Sequence, residues 1–598
     1  MANDQEGGAR GEADLERRGG RGRSHVASAH HIARLIVKIS NEYDVVVLGA
    51  GAGGMTAACV AAAEGLRVLV IEKSPFVGGT TALSGGMVWI PANAKATQLG
   101  IADTIERARL YLEHTVSGSF NANLRRAFLT NGEPAIAYLE AKTSVRLRPV
   151  KIYPDYYPDL PGATTAGRVL EPVPFDGRAL GEHFGLLRWP LPEFMLLGGM
   201  MIDRADIPHF RSAGRSWRST AHVARLLARY GWERLFVQRG ASLYLGNALA
   251  GRLLHSLLTL KVDLVLNAAV SRLIYDGASV RGVAMTHGTG RKQILAERGV
   301  VLATGGFSHC PEMRARYLPD SAGALSAACP SNAGDGIELA SAAGARVWDR
   351  NTDNAFWTPV SRFVRRDGSE GIFPHTVTDR AKPGVIAVNR RGSRFTNEAI
   401  SYHEFARAMF QAHHEGPSIP AYLICDQRFL WKYGLGAVKP FSLSLREHLK
   451  SGYLTRGRTV GALARALGID PDNLEGSVRR FNNDAREGVD RDFGRGGDAY
   501  QRYLGDADNQ PNPCVAPIEQ APFYAVALYP GDLGTVAGLV TDENARVLDH
   551  ANRPIRRLYA CGNDMNSIMN GAYPGPGITL GPALTFAYLA AQHIVSEC

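Results

Sequence analysis

The segment that decides the fold is YDVVVLGAGAGGMTAACVAAAEGLRVLVIEK, residues 43–73. An apolar, β-branched run (43–48) leads through four closely spaced glycines into a small-residue stretch, and a second apolar run follows at 67–71. Short apolar runs of this kind are typical of strands buried on both faces of a parallel sheet. The segment therefore predicts a strand–helix–strand unit, with the pattern Gly-x-Gly-x-x-Gly in the turn between the first strand and the helix.

The glycine turn has the features of a dinucleotide-binding site. Gly49 permits the tight turn, Gly51 lets the backbone approach a pyrophosphate, and Gly54 lets the helix pack closely on the strand. The helix N-terminus offers unpaired N–H groups and positive potential to the phosphates. Glu72 ends the next strand, close to the spacing expected for an acid that binds ribose. An acid at this position, with no arginine near the motif, disfavours a ribose 2′-phosphate.

A second glycine-rich loop, KSPFVGGTTALSGG (73–86), follows directly after that acid. Such a loop suits a long ligand that continues through a ribityl chain to an isoalloxazine, whereas NAD sites do not need it. Two further loops, VLATGG (301–306) and GND (562–564), follow predicted strands. The run GITLG (577–581) opens the last predicted helix, whose N-terminus suits negative charge on a reduced flavin. These loops predict FAD, and no His or Cys stands at a recognisable attachment point, which favours non-covalent binding.

The predicted cofactor contacts lie in these loops and in the sequence after a strand predicted at 262–266. They are Gly49, Gly51, Gly53, Gly54, Glu72, Lys73, Gly79, Thr80, Thr81, Ser84, Gly85, Gly86, Val270, Ala303, Gly305, Asn563, Thr579 and Leu580.

The composition excludes several classes of protein. With 45% hydrophobic and 21% charged residues, the 598-residue chain can bury large cores, which excludes a disordered or collagen-like protein. The 67 Lys and Arg exceed the 57 Asp and Glu by 10 but are scattered, which disfavours nucleic-acid binding. The surplus favours an anionic cofactor or a negatively charged membrane surface. Seven widely spaced cysteines without C-x-x-C predict neither disulfides nor a metal site, and favour a cytoplasmic location.

Changes in residue composition and pattern along the chain predict two domains that follow an N-terminal extension. Residues 1–40 are rich in Gly, Arg and Ser and are predicted to be disordered. Residues 43–345 and 531–598 alternate between strand and helix patterns and predict an α/β, Rossmann-type FAD domain. Between them, residues 346–530 are richer in Pro and aromatic residues and predict an inserted catalytic domain. No membrane span is predicted, although the Met-rich stretch 191–202 is either core or a surface patch that touches a membrane or quinone.

Two longer strings carry a resemblance to a known family. GGTTALSGGMVWIP (78–91) and GNDMNSIMNGAYPGPGITLGPALTFAYLAA (562–591) resemble the 3-ketosteroid dehydrogenases of the fumarate reductase/succinate dehydrogenase flavoprotein superfamily. The resemblance runs from about residue 43 to 595 and includes PDYYPDLPG (154–162). It implies FAD-dependent oxidoreductase chemistry on a steroid ketone, with an external, quinone-like electron acceptor.

Fumarate chemistry is disfavoured because the residues that hold a dicarboxylate in that superfamily are replaced. Tyr402 stands where fumarate-reducing relatives place an acid arginine, and LGTVAG (533–538) lacks their histidine. Near the C-terminus, Ala572-Tyr573-Pro574 replaces their Asn-Arg pair. Without these cationic groups a dianion has no anchor, and a neutral, apolar ketone fits better.

Dehydrogenation next to a ketone requires an electrophile for the carbonyl oxygen and a base for the α-proton. The resemblance implies that the Tyr573 hydroxyl and the Gly577 N–H polarise the carbonyl, and that Tyr402 abstracts the proton. It also implies that Tyr156 hydrogen-bonds Tyr402 and relays the proton, with the adjacent Tyr157 as the other choice. His403, beside Tyr402, is an alternative base.

The reaction favoured by the resemblance is formation of a C1=C2 double bond in a 3-ketosteroid. In this reaction a proton leaves C2 and a hydride passes from C1 to flavin N5. Dehydrogenation at C4 and C5 is an alternative, because both reactions use a polarised 3-keto group. A non-redox hydratase or isomerase with structural FAD is another, because the same tyrosines could run enolisation. A peripheral membrane contact is compatible with a substrate that partitions into lipid.

Overall fold

The computed structural model describes residues 39–288 and 290–597 of the chain. Of the extension predicted to be disordered, all but residues 39 and 40 lie outside these ranges. From Asn41 onward the described residues form one compact unit. The division of this unit into an FAD domain and an inserted domain therefore stays a prediction.

The larger of two main sheets contains the predicted strand–helix–strand unit. Five of its strands run parallel, in the spatial order Pro554–Ala560, Gly290–Leu302, Glu42–Leu48, Val68–Ile71 and Asp263–Val265. An antiparallel edge strand and an antiparallel hairpin that extends Gly290–Leu302 complete the eight strands: Arg546–Leu548, Ala268–Tyr275 and Val280–His287. The predicted α/β fold class is confirmed.

The register of this sheet brings the predicted cofactor loops to one edge. Leu48 pairs with Ile71 on one side and with Leu302 on the other, and Leu302 pairs with Ala560. Because these strands are parallel and end in register, the loops that follow them meet at their carboxyl ends. Loops separated by hundreds of residues in sequence therefore share one site.

Helices built largely of small and apolar residues cover this sheet. Ala52–Ala63 directly follows the first strand, and its residues 52–61 are all buried. It packs between Leu245–Thr259 and the last helix, Leu580–Ser596, which also contacts Ala122–Lys142. The alanine-rich sequence explains the close packing, because small side chains let the helices approach one another.

The second main sheet has six antiparallel strands, all drawn from residues 355–535. Its strands are Ala355–Val364, Glu370–Pro374, Val385–Val388, Ala421–Asp426, Thr455–Gly457 and Phe523–Thr535. Two apolar clusters lie against it: one includes Phe405 and Met409 of the helix Tyr402–Glu415, and the other is closed by Val460–Leu467 and Pro471–Arg486. This packing fixes the start of the helix that carries Tyr402.

The remaining elements are short or peripheral. The other strands are Val88–Trp89, Leu147–Pro149, Val169–Pro172, Phe175–Asp176, Ser242–Leu243, Val347–Trp348 and Gly538–Leu539. The other α-helices are Ala94–Gln98, Ile105–Thr115, Ile207–Ser212, Trp217–Glu233, Pro311–Tyr317, Asp335–Ala342, Gln427–Tyr433, Arg446–Lys450 and Ala499–Leu504. Among the described residues, no helix combines the length and apolarity needed to cross a membrane.

Candidate active site

Backbone atoms in the turn after the first strand come too close together for side chains. Gly49 has a φ of +102°, and a Cβ there would lie 2.2 Å from the Ala303 carbonyl oxygen. A Cβ on Gly54 would lie 2.0 Å from the Gly49 carbonyl oxygen. At Gly51, by contrast, a Cβ would meet no atom within 4 Å. The turn therefore leaves open space at the glycine that is predicted to face a pyrophosphate.

Glu72 is held beside this turn by backbone donors. Its carboxylate accepts hydrogen bonds from the Ala50 N–H at 2.9 Å and from the Ser74 N–H at 2.8 Å. Because a carboxylate has about four lone-pair positions, these two bonds leave capacity for a ribose hydroxyl. Lys73, the next residue, forms an ion pair with Asp335. Its charge is therefore already partly balanced within the protein.

The second glycine-rich loop is tied to the turn through its hydroxyl groups. Thr81 Oγ1 accepts a hydrogen bond from the Ala52 N–H at 3.1 Å, and Thr80 Oγ1 accepts one from the Cys329 N–H at 2.9 Å. Ser84 Oγ donates to the Thr81 carbonyl oxygen at 2.8 Å. These predicted cofactor contacts therefore also fix the loop against the rest of the site.

Four other predicted contacts belong to the same region. A Cβ on Gly79 would lie 3.5 Å from the Gly51 Cα, so the loop crosses the turn. Gly85 faces open space, and Gly86 packs tightly on the backbone of Gly246. Val270 lies in the strand that starts where the Ala268 N–H donates to the Glu72 carbonyl oxygen at 3.1 Å. The structure therefore brings these residues to the same edge of the sheet.

Asp564 joins two of the predicted cofactor loops. Its carboxylate accepts hydrogen bonds from the Thr304 N–H, the Thr304 hydroxyl and the Gly306 N–H. Burial raises the pKa of Asp564, and these hydrogen bonds oppose the shift. Since its oxygens are engaged in this way, Asp564 serves to position the Ala303–Gly305 loop. The other two residues of its turn, Gly562 and Asn563, line a cavity.

That cavity lies where the last helix begins. The Thr535 hydroxyl, on its wall, is buried without a hydrogen-bond partner among the described residues. Thr579 occupies the N-cap position of the helix that starts at Leu580, and its side chain makes no capping hydrogen bond there. A flavin ring bound here would have hydrogen-bond acceptors beside the N-terminal end of this helix and would meet the unpaired Thr535 hydroxyl. The residues present therefore fit a flavin. The cavity is lined by Phe356, Thr535, Gly562, Asn563, Met565, Asn566, Ser567, Ile568, Ile578, Thr579, Pro582, Ala583 and Phe586.

The three predicted catalytic tyrosines meet beside this cavity. The ring centroids of Tyr402 and Tyr573 are 5.1 Å apart, those of Tyr156 and Tyr402 5.7 Å, and those of Tyr156 and Tyr573 5.6 Å. Phe356, which lines the cavity, packs edge-on against Tyr573 at 5.4 Å. All three tyrosines are buried. Residues that are 246 and 171 positions apart in sequence, counted from 156 to 402 and from 402 to 573, therefore form one cluster.

Each tyrosine is held by its own backbone contacts. Tyr402 is the first residue of its helix, and the Ser401 side chain caps that helix by accepting from the Glu404 N–H. The Tyr156 N–H donates to the Pro574 carbonyl oxygen at 2.9 Å. The buried Tyr111 hydroxyl donates to the same oxygen at 2.6 Å. One carbonyl therefore links the loop of Tyr156 to the loop of Tyr573.

The backbone around Gly577 leaves no room for a side chain. Its φ is +95°, and a Cβ would lie 2.6 Å from the Met87 backbone. Its carbonyl oxygen accepts from the Trp89 N–H at 3.1 Å. The Trp89 indole in turn donates to Asp155 at 2.9 Å, and Asp155 pairs with the fully buried Arg168. This network fixes the Gly577 peptide, although no local pattern in the sequence indicates its distant members.

The two alternative assignments have other partners. The Tyr157 hydroxyl donates to Glu404 at 2.8 Å, and its ring is not part of the cluster described above. His403 Nδ1 accepts a hydrogen bond from the Trp357 N–H at 3.1 Å, and Nε2 lies 3.5 Å from Asp353. Because Nδ1 is the acceptor, the neutral ring carries its proton on Nε2. Such a ring orients the segment and has no lone pair left for a substrate proton.

Burial governs the acidity of the cluster. Burial raises the pKa of Tyr402 well above that of a free phenol; Tyr573 adds to the shift, and the hydrogen bond with Tyr156 opposes it. Burial likewise raises the pKa of Tyr156 well above its usual value. Burial raises the pKa of Tyr573 to about 12, although hydrogen bonds with Tyr402 and Thr579 oppose this. At neutral pH the three residues are therefore protonated phenols.

These features define the chain as a flavin-dependent oxidoreductase: a dinucleotide turn, an acid beside it, a cavity at a helix end and a buried group of phenols. The chain belongs to the family described as the FAD binding domain, whose match spans residues 44–580. FAD is therefore the cofactor, as the glycine loops predict. Within the described residues, no group of three or more His, Cys, Asp or Glu is placed to hold a metal ion.

Two curated relatives are each 37% identical to the chain. One is the 3-oxosteroid 1-dehydrogenase of Mycobacterium tuberculosis (strain ATCC 25618 / H37Rv), with 93% of this chain and 99% of the relative covered. The other is the 4-oxocyclohex-2-ene-1-carboxylate 5-dehydrogenase of Sinomonas cyclohexanicum, with 92% and 93% covered.

A solved structure is also similar to this chain. The 3-ketosteroid Δ1-dehydrogenase of Sterolibacterium denitrificans, in complex with 1,4-androstadiene-3,17-dione, is 39% identical to the chain. The match has a TM-score of 0.87 and covers 94% of this chain and all of that one. The resemblance to the 3-ketosteroid dehydrogenases is confirmed.

Proposed function

We propose that the protein is a 3-ketosteroid 1-dehydrogenase, which removes a proton from C2 and a hydride from C1. The observation that carries the proposal is the buried cluster of Tyr156, Tyr402 and Tyr573 beside the cavity. The names of the steroid-specific relatives, at 37% and 39% identity over nearly the whole chain, support the same reaction.

The carbonyl oxygen of the substrate binds between the Tyr573 hydroxyl and the Gly577 N–H. As the proton leaves C2, negative charge develops on this oxygen, and two fixed donors stabilise it without reorganisation. The contacts of Pro574 and Trp89 hold these donors in place. FAD, when bound, supplies the acceptor for the hydride from C1.

Tyr402 takes the C2 proton. Its raised pKa means that the phenolate is scarce at neutral pH, so the rate follows deprotonation of Tyr402 and rises toward alkaline pH. Tyr156 assists, because its hydrogen bond favours the deprotonated form of Tyr402. A site built of neutral phenols and aromatic rings suits a neutral ketone, since nothing in it repels an apolar ring system.

The deciding experiment incubates the enzyme anaerobically with 4-androstene-3,17-dione. Bleaching of the flavin and a product that lacks two hydrogens at C1 and C2 would support the proposal. An unchanged yellow flavin with a rearranged or hydrated product would favour an isomerase or hydratase. Conversion of a 4,5-saturated 3-ketosteroid at C4–C5 only would favour the alternative regiochemistry.

Tyr402→Phe tests the base in the same assay. It should abolish both dehydrogenation and exchange of the C2 hydrogen with solvent deuterium, while steroid binding persists. Exchange at the wild-type rate would assign the base to another group.

A small cyclic keto acid is a second candidate substrate, because one relative at 37% identity acts on 4-oxocyclohex-2-ene-1-carboxylate. Its carboxylate would need a cation within reach of the cluster. Arg380 is a poor choice, since it donates to four backbone carbonyl oxygens. Arg204, beside Tyr153, is partly exposed and is the better one. Turnover of the keto acid that Arg204→Gln abolishes, with no steroid turnover, would favour this candidate.

The electron acceptor is proposed to be a lipid-soluble quinone, reached from a cytoplasmic position through peripheral membrane contact. In the Met-rich stretch 191–202, Met195, Met200 and Met201 are buried, whereas Phe194 and Leu197 are exposed, Leu197 to 69%. The helix Trp217–Glu233 packs against it, and this helix and the three residues after it expose apolar side chains together with arginines. The exposed residues are Trp217, Trp232, Leu235, Phe236, Arg218, Arg225, Arg229 and Arg234.

An exposed face of this composition suits an anionic lipid surface. Sedimentation with phosphatidylglycerol vesicles, but not with phosphatidylcholine vesicles, is expected. Binding should weaken in a variant that combines Trp232→Ser and Phe236→Ser. Equal recovery of wild type and variant with both vesicles would refute the contact.

A further inference from the structure

Arg380 is a buried cation whose side chain binds backbone atoms instead of a carboxylate. Only 2% of the residue is exposed. Its side-chain hydrogen bonds to described residues all go to carbonyl oxygens of the main chain. Burial lowers the pKa of Arg380, because its charged form is poorly solvated there. A buried charge without a paired counter-ion is costly, so the arrangement of these donors calls for a reason other than packing.

The guanidinium joins two segments of the chain. Nε and Nη2 donate to the carbonyl oxygens of His375 and Thr376, at 2.7 and 3.0 Å. Nη1 donates to the carbonyl oxygens of Glu398 and Ile400, at 2.8 and 3.2 Å. The first segment directly follows the strand Glu370–Pro374, and the second leads into the helix that starts at Tyr402.

The same guanidinium also contacts the first turn of that helix. Its central carbon lies 4.8 Å from the centre of the Phe405 ring. Arg380 therefore holds the beginning of the helix at two places, one on the main chain before Tyr402 and one on a side chain after it.

The segment that carries Arg380 is fixed on the second sheet. His375 Nδ1 lies 2.7 Å from Asp379 Oδ2, and His375 Nε2 lies 2.7 Å from Ser361 Oγ, in the strand Ala355–Val364. The other Asp379 oxygen accepts from the Arg380 N–H at 2.9 Å. These side chains are buried. The guanidinium is therefore a fixed support, to which the segment before Tyr402 is tied.

The proposed reaction needs such a support. The substrate carbonyl is bound by Tyr573 and Gly577, on a different loop, so the Tyr402 oxygen must be placed independently beside C2. A misplacement of about 1 Å can cost ~10²-fold in rate. Tyr402 is the first residue of its helix, where backbone N–H groups lack helical partners, and the local restraint there is the Ser401 cap.

We propose that Arg380 is the positioning residue that places Tyr402 at C2, by tying the carbonyl groups of Glu398 and Ile400 to the second sheet. This inference rests on the proposed function, in particular on Tyr402 as the base. Arg380 acts through Tyr402 and takes no part in the proton transfer. The other α-carbon of a 3-ketone is C4, so a displaced Tyr402 should lose its preference for C2.

An effect of the Arg380 charge on acidity has to be separated from an effect on position. The titratable and charged groups that face Arg380 or Tyr402 are Tyr156, Tyr500, Tyr573, Asp379 and Arg495. A cation beside these phenols favours their deprotonated forms. An effect on acidity disappears at alkaline pH, where Tyr402 is already deprotonated, whereas an effect on position persists there.

Arg380→Lys is the test, because lysine lacks the planar fork of donors that spans the two segments. The substrate is a 4,5-saturated 3-ketosteroid, which carries exchangeable hydrogens at both C2 and C4. Turnover and solvent deuterium exchange at C2 should fall by about tenfold to a hundredfold, at neutral and at alkaline pH. Exchange at C4 should rise relative to exchange at C2. The dissociation constant of the steroid should stay within about twofold of wild type, since the carbonyl donors lie on the other loop.

Arg252→Lys is the matched control. Arg252, in the helix Leu245–Thr259, donates to the carbonyl oxygens of Ser144, Val173 and Pro174 at 2.8–3.0 Å and lies over the Phe175 ring at 5.2 Å. It therefore makes the same kinds of contact as Arg380, but to segments that do not lead to Tyr402. This control should match wild type in turnover, in the ratio of C2 to C4 exchange and in steroid binding.

Turnover and C2 exchange of Arg380→Lys within about twofold of wild type would overturn the proposal. Recovery of this variant at alkaline pH, or an equal loss in Arg252→Lys, would overturn it as well. If Arg380→Lys does not accumulate with bound FAD, Ser401→Ala decides, because it loosens the same helix start by removing the cap. An unchanged ratio of C2 to C4 exchange in Ser401→Ala would then refute the positioning role. If Tyr402→Phe still exchanges the C2 hydrogen, the proposed function itself fails, and this result is independent of the Arg380 and Arg252 variants.

Discussion

Replacing Tyr573 by phenylalanine tests the proposed electrophile, because it removes a hydroxyl and keeps the ring. The ring contacts with Tyr156 and Phe356 should persist, so the variant should fold and retain FAD. In the proposed reaction, Tyr573 supplies one of two donors to the developing oxyanion. Loss of one such donor typically lowers turnover ~10²–10³-fold, equivalent to ~2.7–4 kcal/mol of transition-state stabilisation.

The same change should alter the pH dependence in a defined direction. Tyr573 raises the pKa of Tyr402 through its charge and its hydrogen bond. Without the Tyr573 hydroxyl, Tyr402 should lose its proton at lower pH. Since activity follows the deprotonated form, the rise of the rate with pH should begin earlier than in the wild type, although the maximum rate is lower.

The assay is stopped-flow reduction of the flavin by 4-androstene-3,17-dione across a pH series. Tyr524→Phe is the control, because Tyr524 lies in a strand of the second sheet and its hydroxyl donates to the Gln427 side chain at 2.6 Å. The control should reproduce the wild-type profile. A Tyr573→Phe variant within a few-fold of wild type, with an unmoved pH profile, would mean that Tyr573 only packs.

Four further outcomes follow from the site. Glu72→Ala should weaken FAD retention, since a charge-assisted hydrogen bond contributes roughly 1.5–3 kcal/mol. Acid denaturation of the wild type should release intact FAD. The flavin content of the gel-filtered protein measures both outcomes. Tyr111→Phe should lower turnover with little change in melting temperature, because it loosens the Pro574 carbonyl by about one hydrogen bond, ~0.5–1.5 kcal/mol. Arg168→Met should destabilise the fold by about 3–5 kcal/mol in urea titrations, because it leaves two buried aspartates unpaired.

Much of the FAD-binding sheet could be predicted because its signals are local. The run 67–71 was predicted as a strand, and the strand is Val68–Ile71; the run 262–266 contains Asp263–Val265. Here apolar runs, glycines and an acid occur at fixed short spacings, so one stretch of sequence specifies strand, turn and helix.

The tyrosine cluster could be predicted only through the family resemblance. No spacing rule relates Tyr156 to Pro574, yet their hydrogen bond is what places Tyr156, and not Tyr157, next to Tyr402. No spacing rule relates Tyr402 to Tyr573 either, although they lie 171 positions apart, 573 − 402, and their ring centroids are 5.1 Å apart. Such contacts are set by tertiary packing, which periodicity does not report.

The way the cluster is anchored bears on where the double bond is placed. The two donors proposed for the carbonyl oxygen lie on one loop, which is held by Tyr111 and by Trp89. Tyr402, by contrast, begins a helix that packs on the second sheet. The carbonyl position and the proton-accepting position are therefore fixed by different parts of the fold. A change that shifts the start of this helix should alter which α-carbon loses its proton and leave carbonyl binding intact, so regiochemistry is a property of this packing and not of the tyrosines alone.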